Sequence, residues 1–192
     1  MLHEGTSLVM ERSAAIALLG QYVHDPGLIK HCLATGAVMK ALAAQLGEDT
    51  GLWETIGILH DIDFELIHGD MQQHGKKGAD ILTGAGIDSD LARIVQRHNH
   101  ILFTGNYENP VEIALQAADS ASGLIIACAL VKGGSLSNVT VKTITKKGKE
   151  KSFAAGCDRD RIVLIEPLLA LPEFYAVAIN GLMAIREDLG LT

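Results

Sequence analysis

Apolar side chains recur at helical spacing along most of the chain, and the breaks in that rhythm mark where elements end. Ala14, Ile16, Ala17, Leu18, Leu19 and Tyr22 form the stripe of a first helix that opens at Ser13 or just before it. His24-Asp25-Pro26-Gly27 interrupts it. Pro26, with its fixed φ and missing N–H, suits the first turn of a second helix that reaches about Leu46 through Leu28, Cys32, Ala34, Val38, Met39 and Leu42. Gly47 stops that helix, and Asp49 or Thr50 caps a third one ending at Leu59. From His60 to Gln73 the chain turns polar, as a connection projecting functional groups from a rigid frame would. A fourth helix is expected to hold His74, Ala79, Ile81 and Leu82, and a fifth to run from Asp88 or Ser89 through His98. After a loop around Phe103-Thr104-Gly105, a long helix from Val111 to about Lys132 carries Ala114, Ala117, Ala118, Ser122 and Gly123, small residues that let neighbouring helices come close. Gly133-Gly134-Ser135 is the clear break; helices around Arg159 to Leu169 and Pro172 to Leu189 finish the chain.

Composition strengthens the helical reading. Apolar residues make up 48% of the 192, yet aromatics only 4%, as in packed helices rather than a sandwich or barrel. The expectation is an all-α protein with one domain spanning 1–192. A formal net charge of −7 argues against general nucleic-acid binding, which needs Lys and Arg to neutralise phosphates, but leaves room for a small anionic substrate. Cys32, Cys128 and Cys157 are odd in number and show no Cys-x-x-Cys spacing, which reads as a reduced, cytoplasmic chain. Met1 to Ile16 lacks the basic and apolar regions of a secretory signal. Val111 to Val131 approaches membrane-spanning length, but Glu112, Gln116, Asp119 and Ser120 would be costly in lipid, so a core helix is expected and no membrane association.

The chemistry gathers at His60-Asp61. Alone, the pair reads as the polar end of an apolar helix. With His31 in the second helix and Asp119 at the centre of the long one, it asks for a shared cation, because an unpaired carboxylate buried there costs more than one helix offsets. A metal ion supplies that cation. Imidazole and carboxylate donors suit Mn, Fe, Co, Ni, Zn or Mg, and without clustered thiolates a structural zinc site is not expected. His3, at the terminus, and His24 and His68, in polar loops, read as solvated.

The order His31, His60-Asp61, Asp119 on successive helices, within the segments HCLATGAVMKALAAQLGED, GILHDID, HGKKGADIL, IVQRHNH and AADS, resembles the HD-domain superfamily of metal-dependent phosphohydrolases, in particular its HDIG-type branch. The resemblance covers roughly Leu28 to Val131. It implies a helical bundle with a metal-binding core, and leaves about 135–192 as a basic loop and helical extension. By position, His31, His60, Asp61 and Asp119 would hold a first ion. His74 and His98 fall where dinuclear members place extra histidines, which implies a second ion bridged by Asp61; the alternative for both is a hydrogen-bonded helix histidine. His100 rivals His98, although a two-residue shift at a helix end turns the side chain to another face.

The signature His-Asp-Ile-Gly, often followed by Lys, here reads His60-Asp61-Ile62-Asp63-Phe64. The lost Lys leaves its phosphate contact to be supplied elsewhere, by Lys76, Lys77, Arg97, or the basic run of Lys142, Lys146, Lys147, Lys149 and Lys151; as a plain pattern that run is a solvated face. Asp63 and Glu65 become candidates for a general acid or for orienting a nucleophilic water, against the ordinary reading of surface carboxylates. The implied reaction is hydrolysis of a phosphomonoester or phosphodiester, of a nucleotide or similar small metabolite, with Asp61 anchoring the metal. Two other readings use the same ligands: a di-iron oxygenase, as in some relatives with extra histidines, and a non-catalytic nucleotide-sensing module. The apolar stripe of Phe174, Tyr175, Val177, Ile179, Leu182, Met183 and Ile185 is open to a second copy, but closing over the core is its commoner use.

Overall fold

The computed structural model describes residues 10–192, so His3 and the first nine residues lie outside it. Ten α-helices and one 3₁₀ turn make up the regular structure of the described residues, and no strand is found among them. The helices are α1 Arg12–Leu19, α2 Pro26–Leu46, α3 Thr50–Leu59, α4 Lys76–Gly84, α5 Ser89–Arg97, α6 Pro110–Leu130, α7 Val141–Gly148, α8 Arg159–Val163, α9 Leu171–Ala184 and α10 Arg186–Leu189.

The caps of the first half follow local chemistry. The Asp25 carboxylate accepts from Leu28 N at 2.7 Å with Pro26 at the first helical position of α2, and Gly47 closes that helix at φ 75°. Asp49 accepts from Leu52 N at 2.9 Å to open α3, and Asn109 from Val111 N to open α6.

Packing of α2 against α3 places the chemistry. A Cβ built on Gly57 would meet Gly36 Cα at 2.6 Å, so the two helices touch backbone to backbone at that pair. The close crossing puts His31, one and a half turns before Gly36, beside His60 at the end of α3. Helix α6 lies behind them: Ala114, Leu115, Ala117, Ala118, Ala121, Leu124 and Ile125 are fully buried. Its length and composition alone would let it cross a membrane, but 72% of its most apolar window is already buried against other helices. Helix α9 closes the far side of α2, turning Phe174, Ala178 and Leu182 into the core.

The elements depart from the sequence pattern in three places. His74 sits two residues ahead of α4 rather than inside it, because Gly75 adopts φ 80° and starts the helix there. The segment around Arg159 to Leu169 is helical only to Val163, continuing as turns. The last apolar stripe breaks at Ile185, whose φ of −121° separates α9 from α10.

Candidate metal centre

Four imidazoles and two carboxylates converge between α2, the end of α3, the turn before α4, the end of α5 and the middle of α6. Three of the rings have their tautomer fixed by neighbours. His60 Nδ1 donates to Gly57 O at 2.7 Å, and His98 Nδ1 donates to Val95 O; a carbonyl can only accept, so each ring carries its proton on Nδ1 and turns a bare Nε2 inward. His74 Nδ1 lies 2.8 Å from Asp63 Oδ1 and is oriented the same way.

All three Nε2 atoms point at Asp61. Its Oδ1 lies 3.3 Å from His74 Nε2 and 3.3 Å from His98 Nε2. Its Oδ2 lies 3.4 Å from both His31 Nε2 and His60 Nε2. Asp119 completes the second group, with Oδ1 at 3.2 Å from His31 Nε2 and 3.9 Å from His60 Nε2, while the two imidazole nitrogens stand 3.2 Å apart.

Lone pairs aimed at lone pairs repel unless a proton or a metal ion lies between them. In the metal-free chain protons do part of that work. Burial alone would lower the pKa of His31, but Asp119 and Asp61 outweigh it and raise it to about 10. His74 is raised to about 9, against burial, by Asp61 and Asp63. Burial, together with the charges of His60 and His74, pushes His98 down. Asp61 and Asp119 are held well below the usual carboxylate range despite burial, Asp61 by His60, His31 and His74 and Asp119 by His31, His60 and Arg161.

The donor set fits a divalent metal. Ligands about 2.1 Å from an ion stand about 3 to 4 Å from one another, and two such groups are present: His31, His60 and Asp119, and His60, Asp61 and His98. Nitrogen and oxygen donors without thiolate suit Mn, Fe, Co, Ni, Zn or Mg alike and do not choose among them.

Asp63 and Glu65 stand elsewhere than a general acid would. Asp63 has no exposed surface, and its carboxylate is used up by His74 Nδ1, Gly75 N at 2.8 Å and Gly78 N at 2.7 Å. It orients a ring and caps α4, which leaves it no approach to a substrate. Glu65 accepts from His24 N at 2.7 Å and Asp25 N at 3.0 Å just ahead of α2; those two N–H groups lower its pKa. Both carboxylates were candidates because each follows the dyad closely, but the chain turns between them, carrying one inward to a helix start and the other out to a helix corner.

The proposed cations are also placed away from the centre. Arg97 Nε lies 2.6 Å from Glu112 Oε1 and its guanidinium covers the Phe103 ring at 3.9 Å. Lys147 pairs with Glu150 at 2.7 Å, and Lys142, Lys146 and Lys151 are exposed. None of these five lines the cleft over the centre, which holds about 270 Å³. Its walls include Phe64, Met71, His100, Gly156 and Arg161. His100 is exposed, while His98 is buried with its Nε2 3.3 Å from Asp61 Oδ1. A groove of about 610 Å³ between α2 and α9 is larger but gathers only the Arg12–Glu54–Lys40 ion cluster.

Two participants escape a reading of the sequence. Asn99 Nδ2 donates to Met71 O at 2.8 Å and His74 O at 3.0 Å, holding the turn that carries His74. Arg161, from α8, donates through Nη2 to Asp119 Oδ2 at 2.9 Å and through Nε to Gln116 Oε1 at 2.8 Å. The only signal for Asn99 was its place between two histidines; Arg161 had none.

Comparison with known proteins agrees with this geometry. A family model described as HD domain matches residues 28–124, a span that contains all six converging side chains. An uncharacterized protein of Methanocaldococcus jannaschii is 32% identical over 115 residues, covering 57% of this chain and 65% of that protein. Ribonuclease Y of Thermobifida fusca is 28% identical over 112 residues, covering 56% of this chain but 22% of that protein. The chain thus spans just under two thirds of the first relative and about a fifth of the second. No solved structure matches it.

Proposed function

The chain belongs to the HD-domain family, and from that membership we propose that it is a metal-dependent phosphohydrolase acting on a small phosphorylated metabolite, a nucleotide or a compound of similar size. The observation that carries the reading is Asp61, each of whose carboxylate oxygens faces two imidazole nitrogens. One carboxylate so placed serves two donor groups, so two ions are the expected complement, with His31, His60 and Asp119 on one side and His74 and His98 on the other. A bound divalent metal would supply Lewis acidity at a phosphoryl oxygen and an acidified water.

The chain's own residues do the rest. His60, His74 and His98 are locked by Gly57 O, Asp63 and Val95 O, so no ring has to rotate when the site fills. Phe64 and Met71 give the cleft an apolar wall. A cleft of about 270 Å³ in a chain of net charge −7 favours a small ester over a polynucleotide, although one relative is named a ribonuclease. Three unpaired thiols fit a reducing compartment.

The experiment is metal analysis of protein purified without chelator, followed by a panel of phosphomonoesters and phosphodiesters under air and under nitrogen. Phosphate release that needs metal and is indifferent to oxygen supports the proposal. Oxygen consumption with iron bound would make the chain an oxygenase instead. The commitment of Asp63 and Glu65 to structural contacts favours one second reading, a ligand-sensing module; tight nucleotide binding without product would establish it.

A further inference from the structure

Resting on the phosphohydrolase reading, we infer that Arg161 is the residue that contacts the phosphoryl group of the substrate, taking the place of the lysine that the His60-Asp61-Ile62-Asp63-Phe64 segment lacks. Among the described residues Arg161 is the one permanently charged cation lining the cleft. Its guanidinium offers five N–H donors. Nε is taken by Gln116 Oε1, and Nη2 by Asp119 Oδ2 and, at 3.5 Å, His98 O. Among the described residues Nη1 has no acceptor, and 13% of the side chain remains exposed in a residue that lines the cleft.

The group is held for a purpose beyond bracing Asp119. One N–H of a neutral amide would satisfy Asp119 Oδ2 without the desolvation cost of a guanidinium. A positive charge on that carboxylate also drains electron density from a metal ligand, which opposes metal binding and is offset only when an anion enters beside it. The chain nonetheless fixes this arginine firmly. Asp158 caps α8, accepting from Asp160 N at 2.9 Å and Arg161 N at 3.4 Å. Arg159, two residues earlier, donates to the carbonyls of Phe153, Ala154 and Cys157, tying the arch that carries Gly156 over the cleft. Gln116 is itself held, through Nε2, to His98 O at 3.0 Å. The Asp119 carboxylate therefore has imidazole nitrogens at one oxygen and a guanidinium with a free nitrogen at the other. With both Nη2 and Nε committed, the contact it offers is single, through Nη1 to one oxygen of a phosphoryl group.

Titration of manganese-loaded protein with inorganic phosphate, followed by calorimetry, tests this. Arg161→Gln keeps a donor for Asp119 and should weaken phosphate binding tenfold or more while the manganese-to-protein ratio stays unchanged. Arg161→Lys has no fork to satisfy Asp119 and Gln116 with a nitrogen to spare, and should lose at least threefold. Lys142→Gln, an exposed position, should change nothing. Phosphate affinity unchanged in either Arg161 variant at full metal loading overturns the inference, as does an unaltered loaded chain that binds no phosphate; if Arg161→Gln fails to fold, Arg161→Lys alone decides. Should binding depend on Arg161 while no phosphoester is turned over, the inference stands and the hydrolase reading falls. Ester hydrolysis with phosphate affinity and KM indifferent to Arg161→Gln gives the reverse.

Discussion

The two oxygens of Asp61 face differently built surroundings. At Oδ1, His74 and His98 are 4% and 3% exposed, and both rings are pinned through Nδ1, one by Asp63 and one by Val95 O. At Oδ2, His60 is fully buried and pinned, but His31 is 27% exposed and Asp119 17%, with Arg161 on the outer oxygen of Asp119. One side is sealed by burial and preset, the other open by the partial exposure of His31 and Asp119; the cleft itself is lined by His74, His98 and Asp119 together. Under the proposed function the pinned, buried rings of the sealed side would hold an ion, and the partly exposed His31 and Asp119 of the open side would leave room for ligands to exchange, because a ring that must not move needs a lock.

The harshest break of that comparison is Asp61→Ala, which removes the one group common to both sides. Elemental analysis should find less than a tenth of the metal of the unaltered chain. Retention of half would show that one side holds its ion without Asp61. His74→Ala should cost only the sealed side and leave about half.

Next in size is Gly57→Ala. The new methyl would press on Gly36 Cα, and α2 has to back away from α3. Overpacking of this kind costs about 1 to 3 kcal/mol in urea unfolding. The displaced helix carries His31 but not His74 or His98, so metal loss should be confined to the open side. Equal loss on both sides would mean the two are mechanically one.

How much of this could be read from the chain depends on the range of each contact. Pro26, Gly47 and Asp49 act within one turn of themselves, and the helix starts and stops they predict are where the structure has them. His31, His60, Asp61 and Asp119 stood out because polar groups inside apolar runs need partners, and they meet. Asp63 was misplaced as an acid because its partners Gly75 and Gly78 lie 12 and 15 residues ahead, beyond any local pattern. Arg161 reaches Gln116 across 45 residues, a return of the chain that spacing does not encode. The lysine run was legible as a basic helix face but not as to where that face points; α7 turns Ile144 inward and leaves Lys142 and Lys146 outside.

A smaller effect probes the lock on the sealed side. In Asp63→Asn one oxygen becomes an amide that cannot accept, so either His74 Nδ1 or the start of α4 loses its partner. The loss of a buried charged hydrogen bond predicts about 2 kcal/mol of destabilisation, and a His74 ring left without the partner that orients it predicts a weaker metal site by about tenfold or more. Chelator competition should find that weakening for one ion only. A uniform weakening would argue that Asp63 supports the fold rather than the ring.

The gentlest probe is pH, and it distinguishes the sides by the protons they must give up. In the metal-free chain His31 titrates at about 10 and His74 at about 9, both raised above the ordinary histidine value. A raised folded-state pKa means that the native chain binds these protons more tightly than the unfolded one. Their contribution to stability is therefore complete below about pH 6.5 and is lost as pH climbs through 9 and 10. The metal-free melting temperature should fall across that window. Metal reverses the sign: both rings must lose their protons to ligate, so affinity rises with pH and uptake releases protons. His74 yields first, so the sealed side should fill at lower pH than the open side, and His74→Ala should erase the lower of two steps in a metal titration followed by proton release. A single step in the unaltered chain, unchanged by His74→Ala, would show that the proton on His31 alone governs entry of metal and that the two oxygens of Asp61 do not fill separately.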